Sequence, residues 1–183
     1  MKKLAKKLGK LLRKHNKTLS TAESCSGGLI AKVVTDIPGS SRYFSGGVVS
    51  YSNEVKIKVL RVSRVLLEKH GAVSKEVARA MAKGVQRLMH TDCAIAVTGI
   101  AGPDGGSAKK PVGLVYIAVA SGKEIAVKRF IFQKDRDGNR KETTAAAINM
   151  LLHELQNPPS PPYQGGKKGL PLTRGIKGVN LQF

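Results

Sequence analysis

The chain is poor in cysteine, in aromatic residues and in acid. Its 183 residues include 2 Cys, no Trp and only 4% aromatics. Two cysteines, Cys25 and Cys93, make no disulfide framework in a chain of this length. No Cys/His grouping has zinc-site spacing, so neither a metal nor a cofactor is expected. Few aromatics means few stacking platforms of the kind that single-stranded nucleic acid uses. No apolar run approaches the roughly 18 residues of a membrane span, so no membrane partner is expected. The start, Met1-Lys2-Lys3-Leu4-Ala5-Lys6-Lys7, lacks the apolar centre of a secretion signal. The expectation is a cytoplasmic protein.

Acid is the scarcest class, with 12 Asp and Glu against 32 Lys and Arg, for a formal charge of +20. The imbalance is uneven. Residues 1–17 hold eight basic residues and no acid, and residues 157–183 hold four and no acid. Residues 18–156 keep 20 basic residues against all 12 acids, or +8. A centre of that charge suits an anionic small molecule and equally suits solubility. Nucleic acid is not the expected partner on this count.

What is present reads as one domain with basic extensions. Residues 1–17 carry Leu4, Leu8, Leu11 and Leu12 at helical spacing, which predicts an amphipathic helix packed on the domain. Residues 18–156 alternate strand and helix patterns. Strands are expected at Thr18–Ala22, Gly46–Tyr51, Cys93–Val97, Val112–Ala120 and Glu124–Phe132, the last two joined as a hairpin at Ser121-Gly122-Lys123. Helices are expected after Ser24 to near Asp36, over Glu54–Leu60 with Asn53 as cap, over Arg64–Lys69, from Ser74 to about His90, and from Asn139 to Leu155. The long one places Val77, Ala78, Met81, Ala82, Val85, Leu88 and Met89 on one stripe. The fold class is α/β, a three-layer α/β/α sandwich around a mixed sheet. Residues 157–183, rich in Pro and Gly, cannot bury a core and read as a disordered basic tail.

Three segments carry chemistry. Thr21-Ala22-Glu23-Ser24-Cys25-Ser26-Gly27-Gly28 sits at a strand-to-helix junction, where free backbone N–H groups face outward. Ser24 there reads as a helix N-cap or as a nucleophile, and Cys25 is a rival nucleophile. No histidine lies near these segments, so a Ser-His-Asp arrangement has no support. In Ser50-Tyr51-Ser52-Asn53-Glu54-Val55-Lys56, Lys56 is the candidate base: a lysine removed from water loses its proton more readily. Tyr51 can relay or orient that proton. Thr98-Gly99-Ile100-Ala101-Gly102-Pro103-Asp104-Gly105-Gly106-Ser107 is permissive of the conformations that aim N–H groups at an anion. It lacks the spacing of a P-loop or of a dinucleotide fingerprint. Arg136 and Arg140, at the start of the last helix, suit phosphate or surface carboxylates.

With these segments in this order, the chain resembles the CinA-type nicotinamide mononucleotide deamidases, the C-terminal domain of competence/damage-inducible CinA proteins or its stand-alone form. The resemblance runs from about Leu19 to about Leu155. It implies a CinA C-terminal-like fold and hydrolysis of the carboxamide of nicotinamide mononucleotide to nicotinic acid mononucleotide and ammonia, in pyridine nucleotide recycling. It implies Ser24 as nucleophile, Lys56 as base and Tyr51 as assistant. Beside the resemblance, the backbone N–H groups of Cys25 and Ser26 are placed to serve as oxyanion donors. Gly102, Gly105, Gly106 and Asp104 would shape the nucleotide pocket, Lys110 would add charge, and Arg136 or Arg140 would hold the phosphate. Glu23 is assigned either a lysine partner or a ribose contact. A homodimer is implied, and the upstream domain of long CinA proteins has no room in residues 1–17. The rival readings are a non-catalytic nucleotide-binding module and a basic nucleic-acid-associated competence protein.

Overall fold

The computed structural model of the chain describes residues 1–157. The basic tail expected over 157–183 therefore lies outside the described residues but for Asn157. The elements run α1 (Lys2–Lys14), β1 (Leu19–Glu23), α2 (Leu29–Thr35), a short 3₁₀ turn (Ser40–Arg42), β2 (Phe44–Val49), α3 (Asn53–Lys58), α4 (Arg64–His70), α5 (Lys75–Met89), β3 (Cys93–Gly99), β4 (Leu114–Ser121), β5 (Glu124–Ile131) and α6 (Arg136–Gln156). The five strands form one mixed sheet in the order β2-β1-β3-β4-β5. β1 runs parallel to both β2 and β3, and the β3–β4 and β4–β5 pairs are antiparallel.

Alternation along the strands sorts side chains between two faces. Leu19, Ile95, Val97, Ile117 and Val119 meet Leu8 and Leu12 of α1, Ile30 of α2, and Ile148 and Leu151 of α6. The opposite face presents Ala22, Ala94, Ala96, Ala118 and Ala120 to Val77, Met81, Ala82 and Val85 of α5. This is the expected α/β/α sandwich, with a bulky layer on one side and a thin, alanine-lined one on the other. Small strand residues bring α5 close, and at Gly84 the approach is extreme: a Cβ there would lie 2.2 Å from the Leu60 carbonyl oxygen. Leu8 and Leu12 of α1 are fully buried, worth about 1.5–3 kcal/mol each by area removed from water.

Several boundaries differ from the sequence expectation. Leu88 faces outward at 44% exposure, because the stripe of α5 rotates off the sheet in its last turn. α3 is capped by Ser52, whose hydroxyl accepts from the Val55 N–H at 3.3 Å, one residue before the expected Asn53. α6 begins at Arg136, three residues early, because the Asp135 carboxylate accepts from the Gly138 N–H at 2.7 Å. Among the described residues no helix is long and apolar enough to cross a membrane.

Candidate active site

Three of the sheet's loops meet at the carboxyl ends of the mutually parallel strands β1, β2 and β3, the usual place for a ligand crevice in such sheets. Ser24 follows β1, Ser50 and Tyr51 follow β2, and Thr98 and Gly99 end β3. Ser24, Tyr51, Thr98 and Gly99 line a cavity of about 300 Å³ together with Cys25, Asn53, Lys56, Ala101, Gly102, Asp104, Gly105 and Arg136.

The serine does not cap a helix. A tight turn over residues 24–28 intervenes, and α2 starts only at Leu29 with Gly28 as its N-cap. The turn depends on Gly27 and Gly28, at φ +62° and +92°, where a side chain is strained. Ser24 is anchored by its N–H, which donates to the Val97 carbonyl at 3.1 Å. The helix-capping work falls to Glu23, which is 1% exposed. Its carboxylate accepts from the N–H groups of Ile30 (3.0 Å) and Ala31 (2.8 Å) and from the Ser26 hydroxyl (2.7 Å). Glu23 thus takes neither role expected of it. Two residues were assigned to the substrate, and the structure turns both toward this turn. Ser26, fully buried, spends its hydroxyl on Glu23. Arg140, reaching over from α6, donates from Nε and Nη2 to the Ser26 carbonyl at 3.1 and 2.9 Å.

Lys56 points inward from α3 and is 1% exposed. Its Nζ lies 3.3 Å from Ser24 Oγ and donates to the carbonyls of Ser50 at 2.7 Å and Tyr51 at 3.3 Å. Burial lowers its pKa below the ordinary lysine value of 10.5, against an opposing influence from Cys25. A neutral amine has two N–H bonds and one lone pair. With the two N–H groups taken by the two carbonyls, the lone pair is left for the Ser24 hydroxyl proton. That is the arrangement a base needs.

Cys25 lines the same cavity, but burial pushes its thiol up to about 12, outweighing the backbone N–H groups of Cys25 and Ser26 that favour the thiolate. It is a neutral thiol near neutral pH, and the nucleophile candidate that Lys56 Nζ reaches is Ser24.

The Tyr51 side chain is 62% exposed and its hydroxyl accepts from Arg136 Nη2 at 3.0 Å. Its backbone carbonyl, not its hydroxyl, is what touches Lys56. Arg136 also donates from Nη1 to the Gly102 carbonyl at 2.7 Å, tying the glycine-rich loop to the corner after β2. Gly102, Gly105 and Asp104 line the cavity as expected, whereas Gly106 faces a separate shallow depression beside Pro111 and Val112. Arg140 lines a neighbouring hollow of about 650 Å³ with Lys134 and Arg136. Lys110 is turned away: its Nζ donates to the His70 carbonyl at 2.9 Å, at the end of α4.

Sequence reasoning missed Thr98, Asn53 and Asn139. Thr98 lines the cavity and donates to the Ala72 carbonyl at 2.8 Å. Asn139 is buried, donating to the Ala101 carbonyl at 3.0 Å and accepting from the Lys134 N–H at 3.1 Å, so it holds the base of the glycine-rich loop. Its one signal was an amide side chain in an otherwise charged helix start.

A family model described as the CinA C-terminal domain matches residues 1–155. A CinA-like protein of Geotalea daltonii is 54% identical over 145 residues, which cover 79% of this chain and 35% of that protein. The chain thus spans about a third of the length of this relative. Among solved structures, a competence/damage-inducible protein from Agrobacterium tumefaciens is 39% identical with a TM-score of 0.82, covering 85% of this chain and 94% of that one. A competence damage-inducible protein A from Klebsiella pneumoniae is 32% identical with a TM-score of 0.83, covering 85% and 97%.

Proposed function

This chain belongs to the CinA C-terminal domain family, and from that premise we propose that it hydrolyses the carboxamide of nicotinamide mononucleotide, giving nicotinic acid mononucleotide and ammonia. The observation that carries the proposal is the 3.3 Å approach of Lys56 Nζ to Ser24 Oγ, with the other amine contacts spent on the Ser50 and Tyr51 carbonyls.

Lys56 takes the hydroxyl proton as Ser24 Oγ bonds to the carboxamide carbon. The resulting oxyanion is met by backbone N–H groups of the 24–28 turn. Lys56 returns the proton to the amide nitrogen, the C–N bond breaks and ammonia leaves. Water then attacks the acyl-serine, passing its proton to Lys56, which protonates Ser24 Oγ as the acid departs. A cavity of about 300 Å³ sits at the lower end of the range for small-ligand sites, which fits a mononucleotide better than a dinucleotide. The guanidinium of Arg136 on its wall supplies charge for the phosphate end.

The test is ammonia release from nicotinamide mononucleotide by the intact chain and by Ser24→Ala, with and without a chelator. Release that resists the chelator and vanishes in the folded variant is the expected result. No release from the intact folded chain would overturn the proposal and leave a nucleotide-binding module.

A further inference from the structure

We propose that the exposed face of α1 docks along the major groove of duplex DNA, contacting phosphates on both walls without reading sequence. The proposal is independent of the amidase reading. It starts from seven cations on one helix. Lys2, Lys3, Lys6, Lys7, Lys10, Arg13 and Lys14 are all exposed, and the first turn of α1 carries no acid.

Among the described residues no carboxylate lies within ion-pairing distance of any of them; every pair found involves other cations. On the elements packed against α1, Asp36 of α2 is taken by Lys32 at 2.7 Å, Asp137 of α6 by Lys141, Glu154 of α6 faces His153 at 3.6 Å, and Glu142 of α6 is exposed but pairs with no cation of α1. Residues 158–183 contain no Asp or Glu. Like charges three and four residues apart destabilise a helix by a few tenths of a kcal/mol per pair, and Lys2 and Lys3 oppose the dipole at its positive end. Arg13 lies 5.9 Å from the centre of the Tyr43 ring and sits with Lys14 in the last turn, the end the dipole favours; among the described residues no carboxylate relieves the repulsion among the lysines. A polyanion does.

The distribution of the cations selects the polyanion. At 3.6 residues per turn they occupy an arc of about 140° opposite the buried stripe. Lys2, Lys6 and Arg13 form one flank; Lys3, Lys7 and Lys14 form the other; Lys10 stands on the crest between them. This is a convex ridge about 18 Å long, roughly 10–12 Å across with side chains, charged on both sides. The major groove of B-form DNA is about 12 Å wide with phosphates on both walls. A flat anionic membrane meets the crest and the inner members of both flanks, but leaves the outermost cations, Lys2 and Lys7, turned to the sides. Nor is there an apolar face left to insert, since Leu8 and Leu12 are fully buried in the domain. Double-stranded RNA, whose major groove is deep and narrow, excludes such a ridge. Between residues 2 and 14 there is no Asn or Gln to pair with adenine and no Asp or Glu to accept from cytosine.

The experiment is fluorescence anisotropy of the full chain with labelled 20-base-pair DNA duplexes of two unrelated sequences, across a salt series. Each phosphate contact contributes about −0.9 to the slope of log K against log salt. The triple variant Lys3→Gln/Lys7→Gln/Lys14→Gln removes one flank. A control of equal charge, Lys58→Gln/Lys75→Gln/Lys83→Gln, removes lysines of α3 and α5 instead. The expected result is equal affinity for both sequences, with the flank variant losing at least about tenfold in affinity and about 2 to 3 of slope, and the control losing far less. Three outcomes overturn the proposal. They are no duplex binding by the intact chain at low salt, equal losses in both variants, or α1-dependent binding to phosphatidylglycerol vesicles without duplex binding. The last would assign the ridge to a membrane surface.

Discussion

Arg140 holds the carbonyl of Ser26 with two guanidinium N–H groups, at 2.9 and 3.1 Å, from the far side of the turn that presents Ser24. Glu23 holds the same residue by its hydroxyl from within the domain. The turn is therefore gripped at both ends of one residue, and Ser24 is placed by groups that do not line its cavity.

Arg140→Gln should lower kcat for ammonia release by about 10–100-fold, since a small misplacement of a nucleophile costs that much. KM should change little. A rise in KM at unchanged kcat would instead make Arg140 a ligand of the substrate, and steady-state kinetics on the purified variant separates the two.

Lys56 must be neutral to accept the Ser24 proton, and burial has moved its titration below 10.5. Lowering a lysine's pKa favours the uncharged form at a given pH, so kcat/KM should rise with pH along one limb and level off before 10.5 is reached. Lys56→Arg should abolish both activity and limb, because a guanidinium stays protonated. A pH–rate profile unchanged in Lys56→Arg would remove the base.

The same pKa shift acts on stability. Between the folded and unfolded values the unfolded chain binds the extra proton, so the contribution of Lys56 becomes more favourable as pH rises through that window.

Glu23→Ala should destabilise the fold by about 2–4 kcal/mol, leaving two α2 N–H groups and a buried hydroxyl without their acceptor. Glu23→Gln keeps one acceptor oxygen and should cost about half of that. Urea unfolding followed by circular dichroism gives both values, and a neutral Glu23→Ala would refute the capping role.

Gly84→Ala replaces a poor helix former with the best one, yet it should lower stability by about 1–3 kcal/mol. The new methyl collides with the Leu60 backbone, which cannot rotate aside as a side chain does. A higher melting temperature would show that α5 is free to move away from the loop after α3.

Much of this was legible in the sequence because it rests on local rules. The succession of strands and helices, the helix start at Ser74 and the Gly122 hairpin are all short-range signals, and the structure follows them. The pairing of Ser24 with Lys56 was legible only through the order of the motifs, since 32 residues separate them. What sequence missed are side-chain contacts that fasten the turn after β1 to the helices beside it. Nothing near Glu23 says that its carboxylate turns forward to cap α2, and nothing near Arg140 points to a carbonyl 114 residues away. Tyr51 is a related case: its peptide oxygen reaches Lys56 while its hydroxyl reaches Arg136, 85 residues on, which no local pattern shows.

The capping of α2 by Glu23 also decides which way round a substrate can enter. A helix start is ordinarily an attractive seat for an anion, but here the N–H groups of Leu29, Ile30 and Ala31 are already spent on Ser26 and Glu23. The chain has filled that seat with its own buried carboxylate, behind the serine. On the amidase reading proposed above, a phosphate finds no free donor on that side, so its expected seat is outermost, toward Arg136, with the amide end at Ser24.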